Sequence, residues 1–234
     1  MQLEDIAVPD YHGGPLSGID AFRGLTALAS SVLARFTSEL KKRGGGTQGA
    51  AHGVIRGTGP GVSFGALIQA LERDEPRALR APFENTDSIS GAVWRAFDLL
   101  GPGHDDALLK LRFERGTDTL PLHTHLHSDR VIIVLDGRGF FYAADDPKCA
   151  HSDDRLRSIA VRKHDAVVFT RGVVHTFTAP VEPLTLLSYH APFIPLEDIA
   201  QYTVADGAAQ TKVLRTTDTP SICGVPGWSL LTGS

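Results

Sequence analysis

The chain has 234 residues, enough for one large domain or for a core domain with an additional segment. Hydrophobic residues make up 42% of the chain and charged residues 21%, a balance that excludes wholesale disorder and a coiled coil. The net charge of -4 is the difference between 23 basic and 27 acidic residues. Since neither sign dominates, nucleic acid is excluded as an expected partner.

The sequence shows no pattern typical of a membrane span or a secretory leader. Its longest strongly apolar run covers only 131–135, whereas a spanning helix needs about 20 residues. The first residues are acidic where a signal peptide is basic and then apolar. We therefore expect a cytoplasmic protein with no membrane partner, in which Cys149 and Cys223 remain free thiols.

The N-terminal part of the chain has helical patterns. A capping box at 17–20 and apolar residues at helical spacing predict an amphipathic helix over 18–43. A second helix is predicted over 63–73, and the glycine-rich stretch 44–62 between the two helices is predicted to be a loop. Residues 1–85 are therefore interpreted as a helical N-terminal extension.

The pattern changes after this extension. Short alternating or β-branched runs, separated by Gly, Pro and Asp, predict strands at 107–114, 119–125, 130–135, 139–143, 156–162, 166–170, 173–178 and 184–190. So many short strands predict a mainly β fold, a barrel or sandwich over 86–200. Residues 201–234 are expected to form a C-terminal tail that packs on the barrel.

Histidines are the most informative residues for function. His123, His125 and His127 alternate, so in an extended strand all three side chains project from one face, and His175 follows fifty residues later. Neutral imidazoles suit iron, zinc, nickel, copper or manganese. Alternation alone is a weak signal, since a His-x-His pair on an exposed strand is more often simply solvated.

The residues around the first two histidines resemble a known motif. His123-x-His125, four residues, Arg130, six residues and Gly137 have the spacing of the first cupin motif, His-x-His-x(3,4)-Glu-x(6)-Gly. Residues 131–137 have the strand-and-turn sequence that this motif usually occupies. The resemblance implies that His123 and His125 are metal ligands facing the inside of a barrel.

The second cupin motif, Gly-x(5)-Pro-x-Gly-x-x-His-x(3)-Asn, is matched less completely. Gly172 and His175 agree with it, whereas His164, Thr170 and Ala179 replace its first Gly, its Pro and its Asn. The resemblance covers roughly 105–195. It implies a cupin double-stranded β-helix barrel of the jelly-roll type, preceded here by the helical segment, with His175 as a third ligand, and it implies a homodimer.

The main departure from the cupin pattern is Arg130, which stands where the metal-binding Glu is expected. A guanidinium about 4 Å from a divalent ion would be repelled by roughly 8 kcal/mol at an effective dielectric near 20. Three arrangements remain open. In the first, the Arg130 side chain points away from a metal held by three histidines and binds an anionic substrate. In the second, His127 becomes an additional metal ligand. In the third, the barrel holds no metal and binds or isomerises an anionic ligand.

The first arrangement resembles the three-histidine cupin dioxygenases. It implies an enzyme that uses a divalent transition metal, Fe(II) first and Zn, Ni or Mn as alternatives, at His123, His125 and His175 to oxidise a small anionic substrate. Arg130 is the expected substrate-binding residue, together with Tyr189 or His190, of which only one can face the barrel interior. The competing hypotheses are a non-enzymatic ligand-binding or sensory cupin and a metal-free isomerase-like cupin.

Overall fold

The structure is a computed structural model, and it describes residues 16–42, 51–56, 64–73, 77–78, 88–118, 120, 122–144, 157–195, 198 and 203–204. The helices in these ranges are α1 (Gly18–Lys42), α2 (Phe64–Arg73) and α3 (Ala96–Leu100). The strands are β1 (His52–Ile55), β2 (Arg77–Ala78), β3 (Ile89–Arg95), β4 (Ala107–Phe113), β5 (His123–Thr124), β6 (Asp129–Ala144), β7 (Arg157–Arg162), β8 (Ala166–Phe169), β9 (Val174–Thr178), β10 (Leu184–Ala191) and β11 (Thr203–Val204). Within the described residues, no helix has the length and apolar character that a membrane crossing requires.

Helix α1 confirms the helix predicted over 18–43. The hydroxyl of Ser17 caps its first turn, because it accepts a hydrogen bond from the Asp20 backbone N–H at 3.1 Å and donates one to the Asp20 carboxylate at 2.6 Å. The apolar face of α1, with Phe22 at its centre, is buried in one cluster with residues from the outer faces of β4, β6 and β10. The helix therefore packs on the exterior of the barrel.

Strand β6 organises the barrel because it takes part in two antiparallel sheets. Its first half pairs with β8 and β10, in a sheet of order β2-β3-β4-β10-β6-β8-β1. Its second half pairs with β7 and β9, and β5 and β11 extend this second sheet beyond β9. The inner faces of the two sheets enclose an apolar core that includes Phe113, Phe141 and Phe177.

Most of the predicted strands are confirmed, with two differences. The separate runs predicted at 130–135 and 139–143 form one continuous strand, and among the described residues of the run predicted at 119–125 only His123–Thr124 form a strand. Gly137 lies inside β6 with a φ of 77°, and a Cβ there would overlap the carbonyl oxygen of Pro183. Glycine therefore lets β6 turn from one sheet to the other instead of ending there.

The prediction of a continuous loop over 44–62 is wrong at its centre. Strand β1 lies inside this stretch and pairs antiparallel with β8, from His52 opposite Phe169 to Ile55 opposite Ala166. Four residues that include Gly53 do not give a strand pattern, and the pairing depends on an available edge of β8 that only the tertiary structure supplies. Strand β2 likewise falls within the region interpreted as helical.

Several predictions concern residues outside the described ranges. These include the rest of the glycine-rich stretch, the acidic loop between β6 and β7, and the C-terminal tail beyond β11. In the tail, Thr203–Val204 pairs with the short strand β5.

Candidate metal centre

Three buried histidines meet inside the barrel. His123 on β5 lies directly opposite His175 on β9, and His125 is the first residue after β5. One ring nitrogen from each histidine lies within 4.8 Å of the corresponding nitrogens of the other two. The structure therefore brings together the three ligands that the sequence predicted, from two segments fifty residues apart.

The rings are arranged around a common centre. The ring centroids of His123 and His175 are 4.3 Å apart, and that of His125 lies 5.0 Å from the first and 5.1 Å from the second. Nδ1 of His175 lies 3.0 Å from the carbonyl oxygen of Val173, so Nδ1 carries the proton and donates. This bond leaves Nε2 of His175 with a lone pair, the state that a metal ligand needs.

The surroundings favour the neutral form of two of these imidazoles, those of His125 and His175. Burial lowers the pKa of His125 well below its ordinary value, and the positive charge of Arg130 lowers it further. Burial also lowers the pKa of His175, with further contributions from His123 and Arg130. A neutral imidazole can donate its lone pair to a metal, so these two side chains are in the state that metal binding requires.

The histidines form one wall of a small cavity between the two sheets. Its volume is about 40 Å³, room for about three water molecules. Its other walls are mostly apolar and come from both sheets: Leu109, Leu111, Phe113, Leu120, Ile132, Phe169 and Phe177. Arg130, Ser188 and His190 supply the remaining polar groups. Such a site can hold a metal ion together with a ligand of only a few atoms.

Arg130 is buried and lines this cavity, on the inner face of β6. Its Nη1 donates to the hydroxyl of Ser128 and, at 3.2 Å, to the carbonyl oxygen of Asp129. Its Nε and Nη2 are buried and have no hydrogen-bond partner. Burial lowers the pKa of Arg130 to about 9, which the Asp129 carboxylate partly opposes, so the side chain is cationic at neutral pH.

His190 and Tyr189 are adjacent on β10 and face opposite ways, as a strand requires. His190 is buried at the cavity, and its Nδ1 has no hydrogen-bond partner. Burial, followed by the charge of Arg130, lowers its pKa well below the ordinary value. Tyr189 lies on the outer face, where its hydroxyl is 2.8 Å from the Ser30 hydroxyl of α1. The expectation that Tyr189 binds substrate is therefore wrong, because the strand register points it at the helix.

The structure does not place His127, the possible extra ligand, beside the three histidines. His127 is exposed in the turn between β5 and β6, and it is not part of the histidine cluster found among the described residues. His127 lies in the bend after His125, so the alternation that places His123 and His125 on one side does not extend to residue 127. Asp129 faces away from the cavity, and its carboxylate binds Arg171 instead of the Arg130 side chain.

The sequence interpretation missed two polar residues at the site. Ser128 contacts Arg130, and Ser188 lines the cavity beside His190. For Ser188 a signal existed, since it shares the strand parity of His190. For Ser128 none existed, because its role depends on a contact with the backbone of Pro192, 64 residues away.

The donor set fits a divalent transition metal. The three nitrogens converge, burial lowers the pKa of His125 and His175, and the His175 ring is oriented by a backbone carbonyl. The jelly-roll strand order around these inward histidines defines a cupin-type barrel, which confirms the fold implied by the two motifs. The fold is therefore a cupin-type barrel with three inward histidines, and Arg130 stands where the first cupin motif has its carboxylate.

Comparison with known proteins gives distant structural likenesses. An oxalate decarboxylase of Lactobacillus farciminis, solved with formate, matches at 14% identity and a TM-score of 0.41, over 56% of this chain and 34% of its own. A cupin-2 domain protein of Rhodospirillum rubrum matches at 19% identity and a TM-score of 0.41, over 59% of this chain and 79% of its own. Hazelnut (Corylus avellana) vicilin matches at 16% identity and a TM-score of 0.38, over 53% of this chain and 35% of its own.

The chain thus spans about a third of the length of the oxalate decarboxylase that it matches. No protein-family model matches the sequence, and no curated protein does so either. The assignment of the fold rests on the strand order and histidines of this chain.

Proposed function

We propose that this protein is a metal-dependent cupin enzyme that uses dioxygen to oxidise or cleave a small anionic substrate at His123, His125 and His175. The observation that carries the proposal is the pairing of two features in one cavity. Three convergent imidazoles lie beside a buried guanidinium whose Nε and Nη2 have no protein partner.

The charge of the site supports an anionic substrate. With a divalent ion bound, the three neutral histidines and Arg130 would carry an excess of three positive charges, and no described residue lining the cavity has a carboxylate. Buried charge without a counterion is unfavourable by several kcal/mol. An anion in the cavity offsets this excess, and a carboxylate can pair with the guanidinium through two hydrogen bonds.

The side chains then have distinct roles. The three histidines would hold the metal ion, and Fe(II) bound there would supply the redox chemistry with dioxygen. Arg130 binds and orients the anionic group. His190 offers a hydrogen bond to a second polar group of the substrate, and the apolar walls exclude water from the reacting atoms.

The experiment loads purified protein with Fe(II) under argon and measures metal content, then oxygen uptake with small mercapto- and hydroxycarboxylates. We expect about one metal ion per chain and substrate-dependent oxygen uptake. Zn(II)-loaded protein is the matched control, because zinc occupies the same nitrogens without redox chemistry. Loaded protein that retains less than about a tenth of an equivalent of metal would contradict the proposal.

The test also separates the competing hypotheses. Ligand-dependent stabilisation without turnover of any probe would favour a binding or sensory cupin. Conversion of an anionic ligand by metal-free protein would favour the isomerase-like hypothesis.

A further inference from the structure

Ser128 is buried immediately before strand β6 begins, one residue after the exposed His127 and two residues before the cavity residue Arg130. Its hydroxyl donates to the carbonyl oxygen of Pro192, which follows β10. A hydroxyl has only one proton, so its lone pairs are then directed at its second neighbour, Nη1 of Arg130. The hydroxyl therefore has a fixed orientation as an acceptor for the guanidinium.

The donors of Arg130 divide into two groups. Nη1 is used by the chain itself, since it donates to Ser128 and to the carbonyl oxygen of Asp129. Nε and Nη2 form the lateral edge of the guanidinium and are both buried without a partner. Two parallel N–H groups on one edge match the two oxygens of a carboxylate.

The Asp129 carboxylate, which could pair with this edge of Arg130, binds Arg171 instead. Asp129 adjoins Arg130 in sequence, but Arg171 occupies both of its carboxylate oxygens. The Arg171 backbone N–H lies 2.8 Å from Oδ1, and Nη2 of Arg171 lies 3.0 Å from Oδ2. The open edge of Arg130 is therefore available to a ligand, although the chain carries a carboxylate one residue away.

We infer that Ser128 is a positioning residue for Arg130. Because the Pro192 carbonyl fixes the Ser128 hydroxyl, that hydroxyl holds the guanidinium in one orientation. The open Nε–Nη2 edge then selects a small planar carboxylate over a spherical anion. This inference rests on the proposed function, because it names the chemical class of the anion in the same cavity. The cavity of about 40 Å³ limits that ligand to a few non-hydrogen atoms. A ligand that only needed positive charge would not require the guanidinium to be held in one orientation.

The test compares formate, a minimal planar carboxylate, with chloride, a spherical anion. Both are titrated calorimetrically into Fe(II)-loaded protein under argon, with metal content measured in parallel. We expect Ser128→Ala to weaken formate binding about tenfold and to leave chloride binding within about twofold, because the charge remains while its orientation is lost. A merely structural loss would weaken both anions and the metal together.

Two further variants make the test specific. Arg130→Lys keeps the positive charge but has no lateral edge, so it should lower the formate-to-chloride preference by itself, and adding Ser128→Ala to it should have no further effect. Ser30→Ala removes a serine hydroxyl from the outer face of the barrel and serves as the matched control. It should bind both anions like the wild type.

The outcomes separate this inference from the proposed function. If Ser128→Ala keeps the wild-type preference while Arg130→Ala loses formate binding, Ser128 does not position Arg130 and only the inference fails. If the wild type binds no formate, or Arg130→Ala binds it equally well, the anion anchor fails and the inference fails with it. A loss of preference in Ser128→Ala that disappears in the Arg130→Lys background supports the inference.

Discussion

Two neighbouring residues of β10 show that polar groups have different hydrogen-bonding surroundings on the two faces of the barrel. On the outer face, the hydroxyl of Tyr189 is 2.8 Å from that of Ser30, inside an apolar cluster with α1. On the inner face, Nδ1 of His190 and two donors of Arg130 are buried without hydrogen-bond partners. Unsatisfied buried groups cost stability, so the ones that line the cavity indicate a surface built for a ligand.

The same contrast holds for β6, where Arg130 and Ile132 line the cavity while Val131 and Ile133 pack under α1. The outer face packs against α1, whereas the inner face carries both apolar core residues and the polar groups of the cavity. If this division is correct, substitutions of the polar cavity residues should change ligand binding with little effect on folding. Substitutions on the outer face should do the opposite.

Removing a histidine ligand should have the largest effect on the inner face. His175→Ala takes one of three convergent nitrogens away, so the protein should lose its metal almost completely while remaining folded. Elemental analysis and circular dichroism measure the two properties. His127→Ala, at an exposed histidine close to the site in sequence, is the matched control and should keep the metal. Equal metal content in both variants would show that His175 is not a ligand.

Removing an aromatic ring from the outer face should instead lower stability. Phe22 is fully buried between α1 and the barrel, so Phe22→Ala should lower the free energy of unfolding by about 3–5 kcal/mol. Ile19 lies on the same helix with 38% of its surface exposed, and Ile19→Ala should cost much less. Denaturant unfolding measures both, and the folded variants should bind metal normally. A change in metal affinity without a change in stability would contradict the division between the faces.

Arg130 tests the inner face without removing a ligand. Arg130→Ala should keep the metal and weaken anion binding by about 1.5–3 kcal/mol, the scale of a hydrogen bond to a charged group. Arg130→Glu should tighten metal binding, because it places a carboxylate where the guanidinium now stands. Metal and formate titrations give both values. If every Arg130 variant folds and none binds metal, the metal-free hypothesis is favoured.

The smallest effect is expected at Tyr189. Burial raises its pKa to about 12, compared with about 10 in the unfolded chain. The stability that its neutral hydroxyl contributes is therefore present below about pH 10 and is lost as the pH rises from about 10 to 12. Tyr189→Phe should lower stability at neutral pH by about 0.5–1.5 kcal/mol and remove this alkaline loss.

Ser30→Ala provides the control for that prediction. It removes the same hydrogen bond but keeps the phenol, so its alkaline loss of stability should persist. Unfolding curves between pH 8 and pH 12 distinguish the two variants. The same alkaline slope in Tyr189→Phe and in the wild type would assign the effect to another group.

The sequence predicts only in part which side chains of a strand face the barrel interior. Alternation predicts that Tyr189 and His190 face opposite ways, but the choice between them depends on the register of β10 against β4 and β6. In the same way, spacing groups His127 with His123 and His125, although His127 lies exposed in the bend after His125. Strand β1 was missed because its stabilising partner, β8, lies more than a hundred residues further along the chain.

The sequence by itself determined the elements whose signals are local. Periodicity and a capping serine gave the limits of α1, alternation gave most barrel strands, and motif spacing identified His123, His125, His175 and the unusual Arg130. Only the tertiary structure decided which donors of Arg130 remain open. That outcome depends on the Pro192 carbonyl and on Arg171, which come from distant segments and meet β6 only when the two sheets close around the cavity.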